Sequence, residues 1–102
     1  MLDLKALLIK ILVKLGNIDA GTGGHSVSVS ASSYSDLNIT FNVTFKSVPI
    51  VVVGFNTTST AGGFGRCSCA VLNVTTTGCT VRVFNGDTTT REPAIRWIAI
   101  AP

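Results

Sequence analysis

Few side chains in this sequence can do chemistry. Three cysteines stand at Cys67, Cys69 and Cys79, with one histidine, His25, far away in the chain. An odd cysteine count does not close a disulfide framework. Side chains on a strand repeat every second residue, so Cys67 and Cys69 share a face. The plain reading is small buried hydrophobes; a cross-strand Cys69–Cys79 or Cys67–Cys79 bond is the lesser alternative. A metal site would need a fourth ligand, and His25 sits in or beside a glycine-rich linker, so neither a metal nor a cofactor is expected. The acids Asp36, Asp87 and Glu92 read as loop residues without evident partners. No Ser/His/Asp arrangement can be placed, and "GTGGHS" lacks the lysine of a phosphate loop. An enzyme is the least favoured class.

Recognition chemistry is better represented. Asn56 ends one strand-like run, and Phe64 and Arg66 open the next. Asn85, Asp87, Thr90, Arg91 and Glu92 crowd the last loop. Asn, Asp and Arg supply paired donors and acceptors, which suit hydroxyl-rich ligands when held beside glycine on a rigid sheet. The candidate ligand residues are therefore Asn56, Arg66, Asn85, Asp87 and Arg91; the competing reading is a set of solvated turns. Four Asn-x-Thr triplets begin at Asn38, Asn42, Asn56 and Asn73. These could accept glycans in a secreted protein, but three fall in strand-like runs, where Thr is simply a good strand residue.

Two elements of different period must carry these residues. Leu4, Leu8, Ile11, Leu15 and Ile18 are spaced 4, 3, 4, 3. That is a heptad seam with Leu8 and Leu15 at a and Leu4, Ile11 and Ile18 at d, a pattern that leans toward three or more strands. A helix of this length is marginal alone in water. Its apolar side must be covered by sister copies, by the following domain or, least favoured, by a membrane surface. The lysines do not gather on one face, no run of 18 apolar residues exists, and no cleavage site follows, so neither a membrane span nor a signal peptide is expected. Residues 1–18 thus read as a coiled-coil oligomerisation helix and 19–26 as a linker.

From residue 27 to 102 the period becomes two. "HSVSVSA", "LNITFNVTFK", "IVVVGF", "RCSCAVLNV", "CTVRVF" and "AIRWIAIA" read as six short strands, the hairpin "TTTG" offering Gly78 a positive φ. "IVVVGF" is apolar on both faces and reads as central. Ile95, Trp97, Ala99 and Ala101 face one way and Ile98 and Ile100 the other, so the closing strand, Trp97 included, is expected to be covered by sister copies. The fold expected is mainly β: an N-terminal α-helix, then a six-stranded antiparallel sandwich. Charged residues make up 13% of the chain and the net charge is +3, scattered, which excludes the basic stripe of a nucleic-acid binder.

The stretches "ITFNVTFKSVPIVVVGF", "AVLNVTTTGCTVRV" and "IRWIAIA" resemble the H-type lectin family over roughly residues 37–101. Cys79 stands where the family places Phe after the hairpin glycine. The resemblance implies a trimerising six-stranded sandwich with sugar sites near protomer boundaries. It also implies a use: similar heads behind short coiled coils occur in tail and receptor-binding proteins of bacterial viruses. The arginine with which family members hold N-acetylgalactosamine falls at Ala70, Arg66 matches an earlier arginine of that strand, and the family's last-loop aromatic and histidine fall at Gly86 and Asp87. Phe64 and Phe84 are the aromatics left to serve as a platform. The function expected is a homotrimeric attachment module of a phage or prophage virion, made in the bacterial cytoplasm and binding a cell-surface glycan or polysaccharide. The alternatives are a ligand-free structural tip and, behind it, a membrane-active helix protein.

Overall fold

Asp3 starts the helix. Its carboxylate accepts the backbone N–H groups of Lys5 (3.0 Å) and Ala6 (3.3 Å), satisfying donors that a helix N-terminus leaves unpaired. The computed structural model describes residues 3–14, 17–21, 25–57 and 62–102, and the side chains of all of these but 9 and 12–14. Helix α1 spans Leu4–Lys14 and meets the head at strand β1 (Ile18–Ala20). Leu4, Leu7, Leu8 and Ile11 remain open to solvent. The helix is therefore shorter than the heptad reading required. Ile18 belongs to a strand, and Leu15 lies outside the described residues.

Among the described residues seven strands follow rather than six: β1, β2 (His25–Ser26), β3 (Ser33–Thr40), β4 (Ile50–Phe55), β5 (Cys67–Leu72), β6 (Gly78–Asn85) and β7 (Ala94–Ile100). They form two antiparallel sheets. In one, β7 is central, with β4 along one side and β1 and β2 in succession along the other. In the second, β6 is central between β3 and β5. The extra strands come from the expected linker. Ile18 pairs with Ile100 and His25 with Ile95, because β7 has a free edge there whose N–H and C=O groups need partners. Asp19 locks this segment down. Its carboxylate accepts the Asn42 backbone N–H at 2.6 Å, the Asn42 side-chain amide at 3.1 Å and the Ala20 N–H at 2.9 Å.

The core lies between the sheets. Ile39, Cys79, Val81 and Val83 face Ile95, Trp97, Ala99 and Ala101, with Val29, Phe41 and Phe45 closing the sides. The second expected strand stops at Thr40. Its apolar alternation nevertheless continues, since the backbone N–H groups of Phe41 and Phe45 bond to Thr77 and Thr76 and both rings stay in the core. Trp97 is buried inside its own protomer, 5.4 Å between ring centroids from Phe41. Its outward neighbours Ile98 and Ile100 carry the surface that remains open. Strand β4 is an edge strand among the described residues, not a central one, so its outer Ile50 and Val52 are exposed beside Ile98 and Ile100. Gly78 is required by a close approach rather than by a positive φ: a Cβ there would overlap the Ile39 carbonyl oxygen. The left-handed residue near this hairpin is Asn73 (φ 53°).

All three cysteines are free, and burial pushes each thiol above its ordinary range. Un-ionised thiols are poor nucleophiles, and here they behave as small apolar side chains.

Candidate functional site

At one end of the head, the start of β5, the end of β6 and the start of β3 come into register, with Cys67 and Ser33 both paired to Asn85. The short 3-10 helix Gly62–Arg66 and the loop from Gly86 to Pro93 cover this end. Asn85 organises the loop from inside. Its amide donates to the carbonyls of Val29 and Thr89, both at 2.9 Å, while its side-chain oxygen accepts the Asp87 N–H, also at 2.9 Å. A buried amide so fully used fixes the path of every segment it touches.

Asp87 is the hub. One carboxylate oxygen accepts Arg66 Nη1 (3.1 Å) and the Thr88 N–H (2.8 Å); the other accepts Arg91 Nε (2.7 Å) and Thr89 Oγ1 (3.3 Å). The hydrogen bond from Arg91, then that from the Thr88 N–H, holds its carboxyl down at about 2, from an ordinary 3.8. Asp87 is therefore an ionised, buried acceptor with four donors. Arg91 in turn pairs its backbone with Val29 in both directions and lays its guanidinium 5.6 Å from the Phe64 ring centroid. Gly63 leaves the room this needs: a Cβ there would collide with the Arg91 guanidinium and the Asp87 carboxylate. Of the charged groups bonded together here, Arg66 is the one open to solvent, 64% exposed against 26% for Arg91 and 6% for Asp87.

Four of the five ligand residues expected from sequence thus converge here: Arg66, Asn85, Asp87 and Arg91. Asn56 does not join them. It follows β4 in the other sheet, bonds its N–H to Ala94, and lines a shallow cavity of about 310 Å³ with Val52, Gly54, Arg96 and Ile98. The acids expected to be unpartnered all have partners. Asp36 is a strand residue gripped by Arg82, and Glu92 accepts the Ser26 hydroxyl at 3.0 Å.

Residues on the outer face of the three-stranded sheet complete this end. Tyr34 and Phe84 are cross-strand partners, each about half exposed, with ring centroids 5.9 Å apart and tilted by 49°. Arg82 donates through Nε and Nη2 to the two oxygens of Asp36 (2.8 and 3.1 Å), and its guanidinium stacks 4.4 Å from the Tyr34 ring centroid. That pairing holds the Asp36 carboxyl below its ordinary value. The sequence reading starts this strand at Leu37 and places Asp36 in a loop, so it foresees neither this row nor the register that sets Phe84 and Arg82 opposite it.

The H-type lectin domain model matches residues 36–100, the stretch that builds β4 to β7 and most of β3. This chain belongs to the H-type lectin domain family. The H-type lectin head is also similar to two solved structures. A C-terminal fragment of the R1 pyocin fiber of P. aeruginosa shares 19% identity at a TM-score of 0.60, over 83% of this chain and 28% of that one. An N-truncated R1-type pyocin tail fiber shares 18% identity at 0.61, over 92% of this chain and 95% of that one. At such identities the likeness is one of fold. No curated protein matches the sequence. Among the described residues no helix is long and apolar enough to cross a membrane.

Proposed function

We propose that this H-type lectin domain is the carbohydrate-binding attachment head of a phage-type tail, acting as a homotrimer on a cell-surface glycan or polysaccharide. The observation that carries the reading is a lectin-family head whose loop end is pinned from within by Asn85 and Asp87 while Arg66 stays open to solvent. Rigid backing of an exposed donor is what a weak, hydroxyl-reading site needs, since little ordering entropy is then lost on binding. In this reading Arg66 contacts the ligand, Asn85, Asp87 and Arg91 position it, and Asn56 extends the contact from the other sheet. The tail assignment rests on the fold shared with the pyocin fibers.

The trimer is supported by apolar surface left uncovered in a single chain: Leu4, Leu8 and Ile11 on the helix and Ile50, Val52, Ile98 and Ile100 on the outer sheet face. Helix α1, Leu4–Lys14, acts as the stalk, and Ile18 belongs to the head sheet. The Asp19 lock ties the chain to the head where β1 begins, and β1 and β2 pair with β7 as part of the head. Three weak sites on one stalk gain affinity by avidity. Binding, not catalysis, is the activity, and no cofactor is invoked.

Arg66→Ala tests the site. The exposed side chain can be removed without opening the core, so binding of the intact chain to immobilised bacterial polysaccharide should fall while native mass and melting temperature stay unchanged. Undiminished binding removes Arg66 from the contact surface. A second reading, a structural tip without ligand, is favoured by one observation: the acceptors of Asp87 are all taken by its own chain. A folded trimer that binds no saccharide decides for that reading.

A further inference from the structure

The outward face of the β7 sheet changes character along its length. Toward the end of β7 lies the apolar stripe of Ile50, Val52, Ile98 and Ile100; toward its start stands Arg96, paired across the sheet with Gly54. A Cβ at Gly54 would meet nothing within 4 Å. The shallow hollow of about 310 Å³ that opens there is lined from β4, Asn56 and β7, and from neither β1 nor β2. Arg96 is half-buried in it, and its Nη1 donates to the Ile95 carbonyl at 3.0 Å. Among the described residues Arg66, Arg82 and Arg91 each hold a carboxylate and Arg96 holds none. Glu92 is its counterpart among the acids. Asp3 caps the helix, and Asp19, Asp36 and Asp87 are engaged within the chain. Glu92 is exposed, accepts the Ser26 hydroxyl, and is in no ion pair among the described residues. Ser26 pairs with Ala94 and so places Glu92 on the β2 side of β7. The two sides stand about 10 Å apart, two strand spacings, too far for an ion pair within one chain. They do share a height, because Asn56 bonds its N–H to the carbonyl of that same Ala94.

We infer that the Arg96 hollow is a socket for Glu92 of a second copy of this chain, an inference that rests on the homotrimer reading above. Copies related by rotation about an axis along β7 bring the β4 side of each against the β2 side of the next, at one height, which is the head-to-tail contact of a closed ring. The cation of one copy then meets the acid of its neighbour at every contact. The burial of Arg96 forces the question of its partner. It lies about 7 Å along the strand from Ile98, so an assembly that covers the apolar stripe also takes the guanidinium out of water. A guanidinium covered without a counter-charge is heavily disfavoured, and a carboxylate that accepts its paired N–H groups removes the penalty. Gly54 leaves the room for that carboxylate. The stripe supplies attraction without direction; the ion pair at its end sets the rotational register of the copies. Glu92 directly follows Arg91, so the same contact braces the loop held by Asp87 against the neighbouring copy.

The test is charge exchange in the intact chain, read by sedimentation equilibrium at micromolar concentration with circular dichroism as the check on folding. Arg96→Glu and Glu92→Arg each set like charges against one another and should each weaken association about a hundredfold or more. The chain carrying both substitutions should assemble like the parent. An equal mixture of the two single variants should sediment heavier than either alone, because opposite charges meet again between unlike copies; a pair formed within one chain gains nothing from mixing. If the parent is a trimer and Arg96→Glu assembles as tightly, the socket is wrong and the trimer reading stands. If the double exchange fails to restore assembly, or the mixture stays as light as its components, the pairing of these two residues between copies is overturned. Disassembly by Arg96→Glu but not by Glu92→Arg means that another acceptor meets Arg96, and also overturns it. A folded parent that sediments as a single chain removes the trimer and the socket together.

Discussion

Val52 and Ile98 sit opposite each other on the outer face of the β7 sheet, with Ile50 and Ile100 the next pair along it. Their exposures are 61%, 37%, 70% and 48% in the single chain. Complete burial of one such side chain is worth roughly 1.5–3 kcal/mol. About half of this stripe is still open, so covering it in an assembly contributes on the order of 4 kcal/mol per protomer, about a thousandfold in association. Replacing the central pair, Val52→Glu with Ile98→Lys, keeps the sheet satisfied because opposite charges directly across strands are compatible. It makes covering the face costly, since an ion pair taken out of water loses several kcal/mol of hydration. Sedimentation equilibrium at micromolar concentration should give three times the 10.6 kDa chain mass for the parent and a shift to the single-chain mass for the variant. The circular dichroism spectrum should not change. A variant that stays trimeric with an unaltered association constant, or a parent that sediments as one chain, refutes the reasoning that this face is the interface.

Three further outcomes follow from the loops and locks. The folded Asp87 carboxyl titrates at about 2 against an ordinary 3.8, so its contribution is fully present above about pH 4 and is lost as pH falls toward 2. Amide exchange across residues 86–92 should therefore accelerate in that window, and Asp87→Asn should show fast exchange there already at neutral pH. Gly78→Val should destabilise the chain by about 1–3 kcal/mol in urea unfolding, the usual cost of forcing atoms into filled space; an unchanged midpoint would show that the backbone beside Ile39 can yield. Asp19→Ala removes the acceptor for Asn42 and Ala20. It should cost about 1–3 kcal/mol and raise amide exchange in Ile18–Ala20 before the rest of the β7 sheet; protection left intact there would mean strand pairing alone holds β1.

The alternation of Leu37, Ile39 and Phe41 and of Ile95, Trp97 and Ala99 correctly gave the buried faces, because a half-buried strand writes its inside and outside into the sequence. What misled was pairing. "DAGTGGHS" carries no period, so the short strands at Ile18–Ala20 and His25–Ser26, which exist because β7 offers a free edge, left no local signal. "IVVVGF" is apolar on both faces, and in one chain that means an exposed Ile50 and Val52 rather than a central strand. Asp36 and Asp87 looked unpartnered because Arg82 lies far along the chain and because the Arg66 and Arg91 contacts depend on how the loop folds back. The same register dependence hid the Tyr34–Phe84 pair: the sequence offers Phe84 as a platform, but neither Tyr34 nor the adjacency. Asn85, expected as a ligand group, is buried with its amide spent on backbone carbonyls, a role that an Asn-Gly-Asp turn does not reveal by composition.

Recognition of saccharide is the claim on which the rest stands. It is measured most directly by scanning the intact chain, shown by light scattering to be assembled and folded, over an array of bacterial polysaccharides and short glycans. Selective, dose-dependent capture by a related group of saccharides, displaced by the free sugar, is the result expected. Uniform absence of capture from a folded, assembled sample would contradict it.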